Sequence, residues 1–271
     1  MYNPNNKSIE KTVAETILEM PKNDTSAKPF KARGANGKDY IVKTLLNNQP
    51  KVLPNELIGS LLAWKLDLPV LNFALIECPD ILTNQIPESS VVSGVYFGSE
   101  FLQGSFDLRT YSSTGLNKLF DKISLNNKED LPGVVGFDNW LLNKDRNNLG
   151  NNLLRFTGTQ DQAFANYYMI DFGHCFTGPN WTKESLKSDQ GRTEIVPIYP
   201  LLERQISTHN LSFDKFKSTI ENNISDPIFD EILKFVPQEW PITIEEANVL
   251  KDFLNARIPI VIKMIQGNLL S

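Results

Sequence analysis

The chain has 271 residues, 41% apolar and 22% charged, enough to bury the core of one large domain or of two lobes sharing a cleft. Its formal net charge of -5 argues against a broad nucleic-acid surface, and its two cysteines, Cys78 and Cys175, are too few and too far apart for a disulfide framework or a zinc site. The polar start (Asn3, Asn5, Asn6, Lys7) lacks the apolar core of a signal peptide, and no run approaches the roughly 18 apolar residues of a membrane span, so a soluble cytoplasmic protein is expected.

Residues 1–27 read as a polar N-terminal extension with one short amphipathic helix, Ile9 to Met20, whose face is Val13, Ile17 and Leu18. Phe30 to Arg33 and Tyr40 to Leu45 read as two strands joined by the tight turn Gly34-Ala35-Asn36-Gly37, where Asn-Gly is the strongest short hairpin signal in the chain. Such a turn can lay backbone N–H groups over phosphates, with Lys43 on the return strand reaching the same charges; it can equally be an ordinary hairpin with a solvent-facing lysine. Pro54 to Leu68 fits a helix packed through Leu57, Leu61, Leu62 and Leu68, with Glu56 in its first turn. That glutamate either complements the helix dipole or pairs with Lys43 and aims it at a nucleotide.

Val70 to Glu77 and Val91 to Leu102 read as further strands, with Gly94 and Gly98 marking a bend or a close approach by ligand. From Phe106 the pattern turns helical: Leu116 to Ile123 is a short amphipathic piece and Leu131 to Asn143 a continuous apolar helix. That helix delivers the chain to Asp145, which opens an Asn-rich loop before the strand Leu153 to Phe156. Asn and Asp favour turns for local reasons, which accounts for the loop. It does not account for Asp171, set between the apolar run Tyr167 to Ile170 and Phe172-Gly173, because a carboxylate ending a core strand needs a cation or donor. One carboxylate to orient a hydroxyl and a second, with an Asn, to hold Mg2+ on nucleotide phosphates is what phosphoryl transfer requires.

Beyond the site, His174 reads as a structural hydrogen-bonding residue. Lys183 to Arg192 reads as a charged mobile loop in which Ser185 and Ser188 could be self-modified. Ile195 to Leu202, Phe213 to Ile220, Ile228 to Phe235 and Ile244 to Gln266 read as helices, and Pro237, Glu239 and Trp240 as the cap of a helix pair.

The runs NKDRNNLGNN and IDFGHCF, with FGSEFL at Phe97 to Leu102 and PQEWPIT at Pro237 to Thr243, resemble the HipA-like kinase family over residues 28–265, and more distantly the phosphatidylinositol 3- and 4-kinases. The resemblance implies an α+β, two-lobed protein-kinase-like fold with a small antiparallel-sheet N-lobe (28–103) and a mostly helical C-lobe (104–271). It implies an ATP- and Mg2+-dependent kinase acting on a hydroxyl, with a protein serine or threonine as the leading acceptor. A lipid, sugar or other small-molecule hydroxyl, or a pseudokinase serving as an interaction module, stay open. By position it implies that Asp145 orients the acceptor hydroxyl, that Arg146 contacts the acceptor or braces the loop, and that Lys43 binds the phosphates and is held by Glu56. Gly34, Asn36 and Gly37 would cover the phosphates, and Glu100, Phe101 and Leu102 would meet the adenine at the hinge near Glu100 to Gln103. Asp171 would be the main metal ligand. The family's metal asparagine stands five residues after the aspartate, where this chain has Gly150; one inserted residue would give that role to Asn152, with Asn151 as the alternative. The N-terminal segment of longer HipA-type toxins has no counterpart here, so a toxin role is not expected.

Overall fold

The computed structural model describes residues 9–20, 29–44, 48–86, 92–157 and 164–267. Parts of the expected N-terminal extension (1–8 and 21–28), residue 45 of the lysine strand and residue 91 of the hinge strand lie outside them.

The first lobe is a closed five-stranded barrel in the order β1-β2-β3-β5-β4, made of β1 (Glu10–Glu19), β2 (Phe30–Gly34), β3 (Asp39–Val42), β4 (Phe73–Cys78) and β5 (Gly94–Glu100). Helix α1 (Val52–Lys65) connects β3 to β4, and the single turn α2 (Asp80–Thr83) follows β4. The segment expected as an amphipathic helix at 9–20 is β1. Its buried residues Thr12 and Ala14 alternate, whereas Val13 and Leu18 of the supposed helical face are exposed. Burial against two neighbours overrides its helical spacing: Glu10 to Val13 pair in parallel with β4, and Ala14 to Glu19 pair antiparallel with β2 across register shifts. One pair in this sheet is therefore parallel, where an all-antiparallel sheet was expected. The β2–β3 hairpin forms as its Asn-Gly predicts, with Gly37 at φ 77°, the left-handed conformation that glycine adopts without strain.

Every residue of α1 from Val52 to Ala63 is buried, as expected of a helix apolar on nearly all sides. Each of its buried leucines and isoleucines contributes about 1.5–3 kcal/mol. Gly59 lets α1 approach the second lobe: a Cβ there would lie 2.7 Å from Phe172 Cβ.

The second lobe holds β6 (Ser105–Asp107), α3 (Ser113–Phe120), β7 (Ser124–Leu125), α4 (Leu131–Leu141), β8 (Asn152–Phe156) and β9 (Phe164–Met169). Then come α5 (Lys183–Asp189), α6 (Pro200–Thr208), α7 (Asp214–Asn223), α8 (Asp226–Leu233) and α9 (Ile244–Gln266). Its sheet runs β6-β8-β9-β7, and α4, wholly buried, packs against α6, α7 and α9. Lys183 to Arg192, expected as a mobile loop, is mostly α5, started by a capping box in which Thr182 and Ser185 serve each other. Ile195 to Tyr199 precede α6 rather than forming its start. Pro237, Glu239 and Trp240, expected as the cap of a helix pair, cap neither helix: the C-cap of α8 is Lys234 and the N-cap of α9 is Thr243. The Trp240 indole Nε1 donates to the Val95 carbonyl (2.8 Å) of β5, and Lys51 Nζ meets Glu246 Oε1 at 2.7 Å, so both lobes share these contacts.

Candidate active site

Three charged side chains from distant parts of the chain meet where α1 faces the end of β9. Lys43, just past β3, places its Nζ 3.1 Å from Glu56 Oε1 and 2.8 Å from Asp171 Oδ2. Glu56 lies in the second turn of α1, so it does not serve the helix dipole as a first-turn acid would. Its Oε2 accepts the Phe172 N–H (3.0 Å), and its Oε1 faces Lys43 without an aligned hydrogen bond. Burial alone would lower the Lys43 pKa, but the charges of Asp171 and Glu56 outweigh it and raise it. Burial would likewise raise Asp171, yet Lys43 holds it well below the usual carboxylate range. Glu56, deepest of the three, is lifted by burial to about 7. Asp171 adopts φ 64°, a left-handed conformation that aspartate tolerates better than most residues and that is enriched at functional sites.

The second Asp-bearing loop is built from α4. That helix ends at Leu142 in the left-handed region (φ 51°), and Asn143 Nδ2 then donates to Asp138 Oδ1 (2.8 Å). Asn151 Nδ2 donates to both the backbone oxygen (2.9 Å) and Oδ2 (2.7 Å) of Asp145, while Asn151 Oδ1 accepts nothing from the described residues. Asn152, expected as the metal ligand, points the other way. Buried, it donates to the Arg146 (3.0 Å) and Asn148 (2.8 Å) carbonyls and accepts the Tyr167 hydroxyl (2.7 Å). The 3-10 turn Leu149–Asn151 leads into β8, with Asn151 lining the cleft and Asn152 bracing the loop from behind.

Arg146 is fully buried and cannot reach an acceptor. Its Nε bonds Asp138 Oδ2 (2.8 Å), and its Nη1 donates to the carbonyls of Asn151 and of Ile170 (2.8 Å). Of the two roles expected of it, bracing is the one its surroundings allow. Burial lowers a guanidinium's affinity for its proton, but Asp138 more than offsets this, and Arg146 stays charged.

A cleft of about 710 Å³ lies between the lobes and is lined by Lys43, Asp145, Asn151 and Asp171 together with Glu100, Phe101 and Leu102. That volume suits a drug- or nucleotide-sized ligand. Phe101 N–H is already bonded to the Asp39 carbonyl (2.7 Å), and Lys31 Nζ sits 3.6 Å above the Phe101 ring. The Gly34 to Gly37 turn does not line this cleft. It lies at the far end of the hairpin from Lys43, and Asn36 Nδ2 is spent on Glu10 Oε1 (2.6 Å) and Tyr40 Oη (2.7 Å). At the Lys43 end, Phe30 pairs with Val42, and Glu19, Pro29 and Phe30 line the cleft there. His174 also lines the cleft. Sequence reasoning missed Asp138, which Arg146 needs as a counter-charge, and Asn55; an acid inside an apolar helix was the available signal for Asp138. It also missed the apolar walls Ile41, Leu153 and Ile170, readable only as strand residues.

The family model described as HipA-like kinase matches residues 15–268. No curated protein sequence matches significantly. Among solved structures, the Helicobacter pylori proinflammatory kinase CtkA superposes with a TM-score of 0.56 at 11% identity, over 96% of this chain and 98% of that one. The Rio2 kinase of Chaetomium thermophilum, solved as an ADP/Mg2+-phosphoaspartate complex, aligns with a TM-score of 0.45 at 13% identity, over 90% of this chain and 71% of that one. HipA of Shewanella oneidensis, solved with HipB and operator DNA, aligns with a TM-score of 0.42 at 12% identity, over 97% of this chain and 67% of that one.

Proposed function

The chain belongs to the HipA-like kinase family, and from that premise we propose that it is a Mg2+- and ATP-dependent phosphotransferase that moves the γ-phosphoryl group to a hydroxyl, foremost a serine or threonine of a protein. The observation that carries the proposal is the meeting of Lys43, Glu56 and Asp171 within 3.1 Å, in a cleft that Asp145 and Asn151 also line. Lys43 supplies a fixed positive charge for the phosphates, and Glu56 limits where that charge can swing. Asp145, steadied by Asn151, takes the hydroxyl proton as the oxygen attacks. Arg146 ties the backbone at Asn151 to the backbone at Ile170, next to Asp171, so the two carboxylates keep a set separation. Such preorganisation is the main source of rate where the protein does no covalent chemistry of its own.

The Asp171 carboxylate and the unclaimed Asn151 Oδ1 are hard oxygen donors on the cleft wall, and they fit Mg2+, which takes one or two protein oxygens and completes its shell with phosphates and water. When bound, the metal would neutralise charge on the transferring phosphates. Asp171 and Asn151 are the residues we assign to hold it. Glu100 and Leu102 are assigned to the base edge, beside apolar walls from Ile41 and Leu153. Among the described residues no helix is long and apolar enough to cross a membrane.

The test is thermal shift with ATP and Mg2+ followed by radiolabel transfer to a protein acceptor. Asp145→Ala should keep ATP binding and lower transfer by about 1,000-fold or more. Asp171→Ala should lose metal-dependent binding as well. A wild-type protein that binds Mg-ATP and transfers nothing to any hydroxyl would replace this proposal with a pseudokinase.

A further inference from the structure

Asn55 stands beside Glu56 on α1 and is 0% exposed. Its Oδ1 accepts the Trp181 indole Nε1–H (2.8 Å), and because that group only donates, the amide's orientation is settled. Its Nδ2 faces the carbonyl oxygens of Gly173 (2.8 Å), Cys175 (3.1 Å) and Gly178 (3.2 Å), so two N–H groups serve three acceptors. The segment 171–178 is neither helix nor strand, and its backbone is held in uncommon conformations: φ is 64° at Asp171, 58° at Phe176 and 76° at Thr177. Non-glycine residues hold such angles only when their surroundings over-determine them. Here the Asn55 amide gives the Gly173 and Gly178 carbonyls a partner and the Cys175 carbonyl a second one beside the Gly178 N–H (3.1 Å). Helix α1 thus grips the segment twice, Glu56 on the Phe172 N–H and Asn55 on three carbonyls beyond it.

We propose that Asn55 is a positioning residue for metal-dependent phosphoryl transfer, its amide holding the segment after Asp171 so that the Asp171 carboxylate stays in register with Lys43 and Asn151. The proposal rests on the phosphotransferase reading above. Asn55 touches neither nucleotide nor acceptor; it acts through the backbone. Trp181 acts one step further out by fixing the amide.

Two variants test this, each read by hydrogen exchange of the 172–178 amides and by the Mg2+ concentration that half-saturates ATP binding. Trp181→Phe keeps a ring beneath Lys51, whose Nζ lies 4.7 Å from the indole, and removes the N–H together with part of the buried indole's bulk. Asn55→Asp keeps the shape and the acceptor for Trp181 but sets a carboxylate oxygen against the three carbonyls. For Trp181→Phe we expect the Phe172, Cys175, Phe176 and Gly178 amides to exchange ~10-fold faster, beyond the change seen for amides outside this segment, and the Mg2+ requirement to rise ~3-fold. Asn55→Asp should move both readouts further; if it does not fold, Trp181→Phe decides alone. Unchanged exchange, or faster exchange with an unchanged Mg2+ requirement, overturns the proposal while leaving the phosphotransferase reading intact. A wild-type protein that binds no Mg-ATP overturns that reading first, and this one with it.

Discussion

Replacing Arg146 with methionine removes a fully buried guanidinium that ties three elements together. It holds Asp138 of α4 (Nε to Oδ2, 2.8 Å), the Asn151 carbonyl, and the Ile170 carbonyl (2.8 Å) next to Asp171. In the variant, Asp138 stays buried with only the Asn143 amide (2.8 Å) to meet it. Removing one partner of a buried ion pair costs about 3–5 kcal/mol, because the other charge is left uncompensated. Against a total stability of about 5–15 kcal/mol that is a large fraction. At about 2–4 °C per kcal/mol for a chain of this size, it lowers the melting temperature by roughly 10 °C. The loss also carries a pH signature. Burial already lifts the Asp138 carboxyl above the usual range despite Arg146, and without the guanidinium it rises further. A carboxyl raised in the folded state contributes stability that is full below its unfolded pKa and is lost as pH rises through its folded value. The gap between wild type and Arg146→Met is therefore widest near pH 8 and narrows toward pH 5. Thermal melts at both pH values, with the double variant Asp138→Asn, Arg146→Met alongside, read this directly. The double variant should regain at least half the loss at pH 8, since it buries no orphaned charge. A gap below about 1 kcal/mol, a gap constant with pH, or a double variant no better than the single would each refute the reasoning.

The two loop asparagines should part company. Asn151→Ala is expected to cost under about 1.5 kcal/mol yet raise the Mg2+ needed for ATP binding about 10-fold, whereas Asn152→Ala should cost about 2–3 kcal/mol and shift the Mg2+ requirement little. Metal titrations and melts that gave the reverse pattern would hand the ligand role back to Asn152. For protein free of nucleotide and metal, the Glu56 carboxyl, lifted mainly by burial to about 7, contributes stability that is full below the unfolded glutamate pKa of about 4.3 and is lost as pH rises through about 7. Wild type should therefore lose melting temperature between about pH 5 and pH 8, a slope that Glu56→Gln lacks; parallel curves for the two proteins would contradict this.

Much of the architecture was legible because local rules carry it. The Asn-Gly pair marked the β2–β3 turn, and α9 spans Ile244 to Gln266 as its apolar stripe indicates. The order of a strand lysine, a helix glutamate and two strand- or loop-end aspartates was readable too, since Asp171 is out of place at the end of a core strand unless something pairs with it. The helix expected at Ile9 to Met20 was misread for a physical reason. Its apolar residues fit a helical face about as well as a strand, and only the two neighbours offered by β2 and β4 select the strand. The charged run Lys183 to Arg192 hid α5 because its composition says nothing of the capping box between Thr182 and Ser185. The Gly34 to Gly37 turn has the right residues to cover a phosphate, but the pairing of Phe30 with Val42 puts it at the wrong end of the hairpin.

Residue order alone determined which groups this chain can bring to a cleft: a lysine, a glutamate, two aspartates and a run of asparagines, spaced by elements whose periodicity and turns are local properties. Only the tertiary structure decided which of them meet there. Asn151 and Asn152 are the same side chain one residue apart, and what separates a cleft-facing oxygen from a buried brace is that Tyr167, Arg146 and Asn148 claim one amide while Asp145 orients the other. Of those partners only Tyr167 comes from outside the loop, and no spacing within the loop records which amide it claims.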